Sequence, residues 1–177
     1  MATLIQHYTV PIQIAHSSTD SADTSPFVMH ATGGAGNRYI RLVSYDLTIT
    51  WNGLAATPSA KAGYWLNRFT ILLPRTLPSG GTAVVPVPDD PNALATCVER
   101  CLIKQDGALT TTNMTNFPIA LFASGNGVTG QTQRFSGDFG AYGPIAYVNQ
   151  GFNLSMLAAA VAGQTLTGYL RYAEYQT

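Results

Sequence analysis

The sequence is poor in charged residues. Nine Lys and Arg balance nine Asp and Glu, so the formal net charge is zero and only 10% of the chain is charged. Typical soluble domains carry about 25% charged residues. A chain without a basic excess cannot neutralise many phosphates, so we expect no nucleic-acid partner. A weakly charged polar surface is typical of a protein that packs against its own copies or a larger assembly.

The sequence also lacks targeting and membrane signals. The N-terminal residues MATLIQHYTV contain neither a basic region nor a long apolar run, so we expect no signal peptide. Apolar stretches fall short of the roughly 18 residues of a membrane-spanning helix, so we expect no membrane partner. The length of 177 residues suits one domain with a real core. We therefore predict a single domain over residues 1–177.

Cysteine and histidine are scarce. No His or third Cys lies near Cys97 and Cys101 to complete a zinc site, and three residues separate the pair where redox motifs have two. We interpret both as small buried thiols, with a disulfide to a neighbouring subunit as the open alternative. The histidines are scattered (His7, His16 and His30), and no pair of carboxylates indicates glycosidase chemistry. We therefore expect no catalytic residues, no metal site and no enzyme activity.

A glycine-rich stretch at Gly33, Gly34 and Gly36 resembles a phosphate-binding loop. Such loops lie between a strand and a helix, and the N-terminus of that helix holds the anion. Here the residues that follow Arg38 alternate with the period of a strand. The stretch is therefore predicted to connect two strands, and we expect no nucleotide or other cofactor.

Alternating patterns dominate the sequence. Apolar and polar residues alternate without error over 43–51, which is typical of a strand with one buried face. The apolar phase is reversed upstream, at Ile40 and Leu42. Because a slip of one residue turns every side chain to the other face, we predict a β-bulge at Leu42–Val43. Further strands are predicted over residues 4–14, 27–31, 64–73, 82–87, 117–123, 133–139, 144–149, 152–157 and 164–175. This number of short strands favours an all-β protein, a β-sandwich or a barrel, and of the two we predict an antiparallel β-sandwich.

One segment has helical spacing. In DDPNALATCVERCLIKQDG, Asp90 suits an N-cap and Pro91 suits the first position of a helix. Apolar residues then recur along one helical face: Leu94, Cys97, Val98, Cys101 and Leu102. The spacing predicts one short helix over about 91–105, inserted between strands.

Three stretches of the chain have sequence patterns similar to those of a known class of proteins. The N-terminal MATLIQHYTVPIQI is strand-like, and the middle reads RYIRLVSYDLTITW. The ending PIAYVNQGFNLSMLAAAVAGQTLTGYLRYAEYQT places a connection rich in small residues before a tyrosine-rich strand. Together they resemble the jelly-roll structural proteins in virions of tailed bacteriophages, of the head decoration or auxiliary type. The resemblance implies a jelly-roll β-sandwich and an oligomeric, for instance homotrimeric, shell component without catalysis.

The resemblance also implies partners and a location. A decoration protein resides in the virion, where it contacts its own copies and a major capsid protein and stabilises the capsid. Neutral polar faces suit this role because few charges have to be desolvated, and many copies add avidity. Six side chains of the terminal segments are predicted to contribute to an oligomer or partner interface: Leu4, Tyr8, Val10, Tyr169, Tyr172 and Tyr175.

Exposed aromatic residues leave an alternative function open. Tyrosine rings beside Asn or Asp can stack on sugars and hydrogen-bond their hydroxyl groups. The alternative is therefore a carbohydrate-binding β-sandwich module of a tail fibre or another receptor-binding assembly. Its predicted sugar-binding residues are Asp138, Tyr142, Tyr147 and Asn149.

Overall fold

The protein is all-β in the residues that the computed structural model describes, which are 2–15, 25–31, 37–51, 61–71, 81–105, 111–124, 132–156 and 164–177. These residues contain twelve strands and one 3₁₀ turn, Gly140–Tyr142, and no α-helix. The strands are β1 (Thr3–Ala15), β2 (Ser25–Ala31), β3 (Arg38–Trp51), β4 (Lys61–Ile71), β5 (Thr82–Ala83), β6 (Val87–Pro88), β7 (Val98–Gln105), β8 (Thr111–Ser124), β9 (Thr132–Asp138), β10 (Ile145–Ala146), β11 (Gln150–Met156) and β12 (Gln164–Gln176).

The strands form two antiparallel sheets of six strands each. The first sheet has the order β10-β3-β12-β1-β6, and β9 also pairs with β3. The second sheet has the order β5-β7-β2-β11-β4-β8. In the first sheet β1 and β12 pair along almost their whole lengths, and β12 pairs with β3 on its other side. The first and last strands therefore lie at the centre of one sheet.

One apolar core collects side chains from both sheets. Every second residue of β1 points into it, from Tyr8 to Ile14, as the alternating pattern predicts. The second sheet contributes Met29, Leu66 and Phe152. Each large side chain buried in this way stabilises the fold by about 1.5–3 kcal/mol relative to its exposed state, which makes the core the main source of stability.

The predicted bulge in β3 is confirmed. Ser44 faces Arg171 of β12, whereas Leu42 faces the next residue, Tyr172, so the register skips Val43. The extra residue keeps the apolar side chains on both sides of it directed into the core, although their phase reverses in the sequence.

The predicted helix over 91–105 is wrong. Turn and bend residues precede β7, which pairs with β2 through the Met29–Cys101 and Phe27–Ile103 registers. Asp90 accepts a hydrogen bond from the backbone N–H of Asn92 (2.9 Å), so it caps a turn and not a helix. Pairing with β2 satisfies the backbone of this segment and buries consecutive apolar residues, and such tertiary contacts override local spacing.

The other predicted strands are present with shifted ends. The segments 82–87 and 144–149 shrink to the two-residue strands β5, β6 and β10. Pro118 lies in the edge strand β8. The register of β8 with β4 is broken at this point, between Leu66 and Trp65. This is expected because proline has no backbone N–H to donate to a neighbouring strand. The glycine stretch at 33–36 and His16 lie outside the described residues.

Candidate functional site

Three of the six predicted interface residues are buried in the chain's own core. Tyr8, Val10 and Tyr172 are almost completely inaccessible to solvent. The rings of Tyr8 and Tyr172 stack with their centroids 5.2 Å apart. The Tyr8 hydroxyl donates to the carbonyl oxygen of Leu94 at 2.6 Å. Through these contacts the side chains join residues 81–105, which we call the insertion, to the first sheet. They offer no surface to a neighbouring subunit.

The other three predicted interface residues keep some surface. Leu4 and Tyr169 are exposed. Tyr175 is half-buried: its ring stacks on Tyr39 at 5.2 Å, and the guanidinium carbon of Arg41 lies 5.2 Å from its ring centre. The predicted interface is thus reduced to Leu4, Tyr169 and Tyr175.

Further exposed apolar side chains lie along the β6 edge of the first sheet. Val85, Val87 and Leu94 are 79%, 55% and 63% exposed. β6 pairs with β1, whose Leu4 is also exposed, and the carbonyl of Leu94 is bound by the Tyr8 hydroxyl. We call Leu4, Val85, Val87 and Leu94 the apolar rim. The sequence did not indicate it, because Leu94 had been assigned to the buried face of a helix.

Three of the predicted sugar-binding residues lie on one connection, between β9 and β11, and Asp138 ends β9. Tyr142 is 96% exposed at the 3₁₀ turn. Tyr147 is half-exposed and its ring is tilted against Tyr39, with the centroids 5.5 Å apart. Asn149 has a positive φ of 61° and is half-buried. Asp138 lies at the end of β9, in a groove that includes neither tyrosine of this connection.

The connection is anchored to the bulge of β3. The backbone N–H of Leu42 donates to the carbonyl of Pro144 at 3.0 Å, and the N–H of Phe139 donates to the carbonyl of Val43 at 2.8 Å. A Cβ on Gly143 would lie 1.7 Å from the carbonyl oxygen of Leu42, so only glycine permits this approach. The bulge therefore provides the backbone groups that hold the turn and its exposed tyrosine.

The outer face of the first sheet carries a shallow groove of ≈ 460 Å³. It is lined by Ser44, Tyr45, Asp46, Ser136, Gly137, Asp138 and Tyr169. Strand register aligns these residues, because Asp46 of β3 lies between Tyr169 of β12 and Ser136 of β9. The groove combines aromatic rings with carboxylates and hydroxyl groups, unlike the cavity lined by Ala83, Glu99 and Cys101.

Two ion pairs lie on this outer face. Arg134 donates to Asp46 through Nε at 2.7 Å and also through a terminal nitrogen, which is the planar two-point geometry that arginine favours. These hydrogen bonds lower the pKa of the Asp46 carboxyl, and the positive charge of Arg134 adds to the effect. Arg171 pairs with Asp89 beside β6.

A buried polar cluster lies where the insertion meets the first sheet. Glu174 is fully buried; its Oε1 accepts from the backbone N–H of Cys97 at 2.8 Å and from the Thr96 hydroxyl. Arg38 approaches its Oε2 at 3.6 Å. The Thr96 hydroxyl also lies 2.7 Å from the hydroxyl of Tyr172. Oε2 accepts no hydrogen bond from the described residues, so hydrogen bonds to Oε1 and the charge of Arg38 together offset the cost of burying this carboxylate, and these contacts hold the insertion in place.

The two cysteines are buried thiols, as interpreted from the sequence, and they do not bond to each other. Burial raises the pKa of Cys97 to about 12, with the charge of Glu174 adding to the effect. Burial alone raises the pKa of Cys101 to about 12. Because the thiolate is the reactive form, neither thiol suits a nucleophile or a redox centre at neutral pH.

Among the described residues, no group of three His, Cys, Asp or Glu side chains is placed to hold a metal ion. The same part of the chain contains no helix long and apolar enough to cross a membrane. No known protein family matches the chain, and no curated protein is significantly similar to it. Indications of function therefore come from the fold and its surfaces.

Proposed function

We propose that the protein is a single-domain, non-enzymatic structural subunit of a viral particle, a jelly-roll protein that stabilises the shell of a tailed bacteriophage as a capsid decoration or auxiliary protein. The observation that carries the proposal is the pairing order of the strands. With the insertion 81–105 and β10 set aside, the two sheets read β1-β12-β3-β9 and β2-β11-β4-β8. Successive strands alternate between the sheets, apart from β4 and β8, in the manner of nested Greek keys. Jelly rolls have this order, and they include viral capsid and lectin domains.

The apolar rim supports a role in assembly. Its four large side chains lie along one edge of the first sheet, in a chain with only 10% charged residues. Exposed apolar surface of this kind marks interaction sites. Burial of one such side chain stabilises an interface by about 1.5–3 kcal/mol before the cost of association, and repeated contacts in a shell add avidity.

The proposed partners are copies of the chain itself, as a homotrimer, and a major capsid protein in the virion. The rim is the first contact surface that we assign, together with Tyr175 from the predicted interface. Tyr175 is already packed against Tyr39 and Arg41, so it can enter an interface with little loss of conformational entropy.

The proposal is tested by sedimentation velocity of the purified chain over a wide concentration range, and by mass spectrometry of purified particles. We expect a discrete oligomer and a fixed copy number in the particle. Val87→Asp places a charge in the rim and is expected to weaken association at least about tenfold. Val148→Asp is the matched control, because Val148 is 44% exposed outside the rim. A chain that stays monomeric at high concentration and is missing from particles contradicts the proposal.

A second candidate function is a carbohydrate-binding module of a tail fibre or another receptor-binding assembly. It is favoured by the 96% exposure of Tyr142 on a turn that two backbone hydrogen bonds fix to β3. An exposed ring on a turn with a fixed backbone is available to stack on a sugar. If the turn is the sugar site, a glycan array shows binding that Tyr142→Ala abolishes; an array without binders excludes this candidate.

A further inference from the structure

The groove on the outer face of the first sheet has the dimensions of a small-molecule site. Tyr169, Asp46 and Ser136 form one row across β12, β3 and β9, and Ser44 and Asp138 face each other in the next row. Strands of one sheet lie about 4.8 Å apart, so the rows place Tyr169 and Ser136 roughly 10 Å apart. The two small serine side chains therefore form the bottom of the groove, between larger side chains. The volume of ≈ 460 Å³ lies within the range of about 300–1,000 Å³ seen for ligand pockets.

Two arginines border the groove without filling it. Arg134 is bound to Asp46, and Arg171 is bound to Asp89 on the side of β6. In the part of the chain that the structure describes, no basic side chain pairs with Asp138. One of its oxygens accepts a backbone N–H at 2.7 Å, which leaves acceptor capacity on the carboxylate. The groove therefore remains open and contains a carboxylate with capacity for a ligand.

The lining selects the chemistry of the ligand. Carboxylates accept hydrogen bonds, serine hydroxyls donate and accept them, and a tyrosine ring offers an apolar face. Both bordering arginines are already paired with carboxylates, and among the described residues no basic side chain pairs with Asp138, so its negative charge would repel an anionic ligand. We propose that the groove binds a neutral saccharide, which stacks on Tyr169 and donates hydroxyl hydrogen bonds to Asp46 and Asp138.

This binding site is separate from the rim. Tyr169 lies on β12 in the middle of the first sheet, whereas the rim lies along its β6 edge. A shell subunit with this groove would attach a particle to glycans on a surface. The groove also differs from the sugar site predicted on the sequence, because it shares Asp138 with that site but uses Tyr169 in place of Tyr142 and Tyr147.

The test is a titration of the full chain, in its native oligomeric state, with glucose, galactose, mannose, N-acetylglucosamine and cellobiose. Amide chemical shifts in NMR spectra, or heats of binding, report the affinity. We expect at least one sugar to bind and to shift the amides of Ser44 and Ser136. Tyr169→Ala is expected to weaken binding at least about tenfold, whereas Tyr169→Phe keeps the ring and stays within about threefold of wild type. Ser136→Val adds bulk at the bottom of the groove and is therefore expected to abolish binding.

Tyr142→Ala is the matched control, because it removes an exposed tyrosine outside the groove. Equal binding by Tyr142→Ala and wild type supports the groove. Loss of binding in Tyr142→Ala with full binding in Tyr169→Ala overturns the inference and moves the site to the turn. No binding by any of the sugars also overturns it, as does a response of the groove amides to CaCl₂ alone. None of these results affects the assembly test, which depends on the rim.

Discussion

Replacement of Gly143 by alanine should destabilise the protein through the bulge of β3. The new Cβ would lie 1.7 Å from the carbonyl oxygen of Leu42, and real Cβ contacts essentially never fall below 3.0 Å. The turn must therefore move away from β3 by more than 1 Å. A movement of this size breaks the Leu42–Pro144 and Phe139–Val43 backbone hydrogen bonds, which are 3.0 and 2.8 Å long.

The magnitude follows from these two bonds. Each is worth about 0.5–1.5 kcal/mol net, and a buried donor left without a partner costs about 1–3 kcal/mol. Leu42 is fully buried, so its N–H would be such a donor. We expect Gly143→Ala to lower the free energy of unfolding by about 2–4 kcal/mol. For a domain of this size that corresponds to a decrease in Tm of roughly 4–16 °C.

Urea unfolding followed by circular dichroism measures this loss, and amide hydrogen exchange of Leu42 and Phe139 locates it. Gly140→Ala is the control. Gly140 has a φ of +53° with open space around its Cβ position, so this change costs only about 1–2 kcal/mol of backbone strain. The reasoning is refuted if Gly143→Ala is as stable as Gly140→Ala, or if the Leu42 amide keeps its wild-type protection.

Three further predictions concern the buried polar groups. Glu174→Ala leaves Arg38 and the Cys97 N–H without their carboxylate, so urea unfolding should show a loss of about 3–5 kcal/mol; a loss below about 1 kcal/mol would contradict a structural role. Burial raises the pKa of Tyr8 and of both cysteines to about 12, above the ordinary values of 10.0 for tyrosine and 9.0 for cysteine. Their neutral forms therefore favour the folded state, so stability should be complete below about pH 9 and decline as pH rises towards 12; a flat alkaline profile would be inconsistent with this burial. Cys97 and Cys101 should react with a thiol reagent at pH 8 only after unfolding, and rapid reaction of the native protein would show that they are accessible.

Local patterns predicted the strands because side-chain direction alternates with a period of two wherever a strand has one buried face. The reversal of phase before Val43 could be read as a bulge for the same reason: each apolar side chain reports which face it occupies. β7 could not be predicted in this way. The spacing of Cys97, Cys101 and their neighbours suits a helix as well as a strand. The choice depends on β2, which lies far earlier in the chain.

The candidate sites depended on contacts that no local pattern contains. The sequence predicts Tyr8 and Tyr172 in an interface because they lie in the terminal segments, yet their hydroxyls find partners in Leu94 and Thr96 of the insertion. The groove arises only from the register of β12, β3 and β9. A shift of one residue in either pairing would separate Tyr169 from the carboxylates that share its face.

The insertion 81–105 connects the stability of the fold to the proposed assembly surface. It carries three of the four rim residues, and it is fastened to the first sheet by the contacts of Tyr8, Arg38 and Glu174. A surface held in this way loses little conformational entropy on association, which favours binding. It follows that Glu174→Ala should weaken association as well as folding, although Glu174 is fully buried. Val87→Asp should weaken association alone, because the Val87 side chain is exposed. A comparison of the two variants therefore separates the contribution of the rim's side chains from that of the rigid support beneath them.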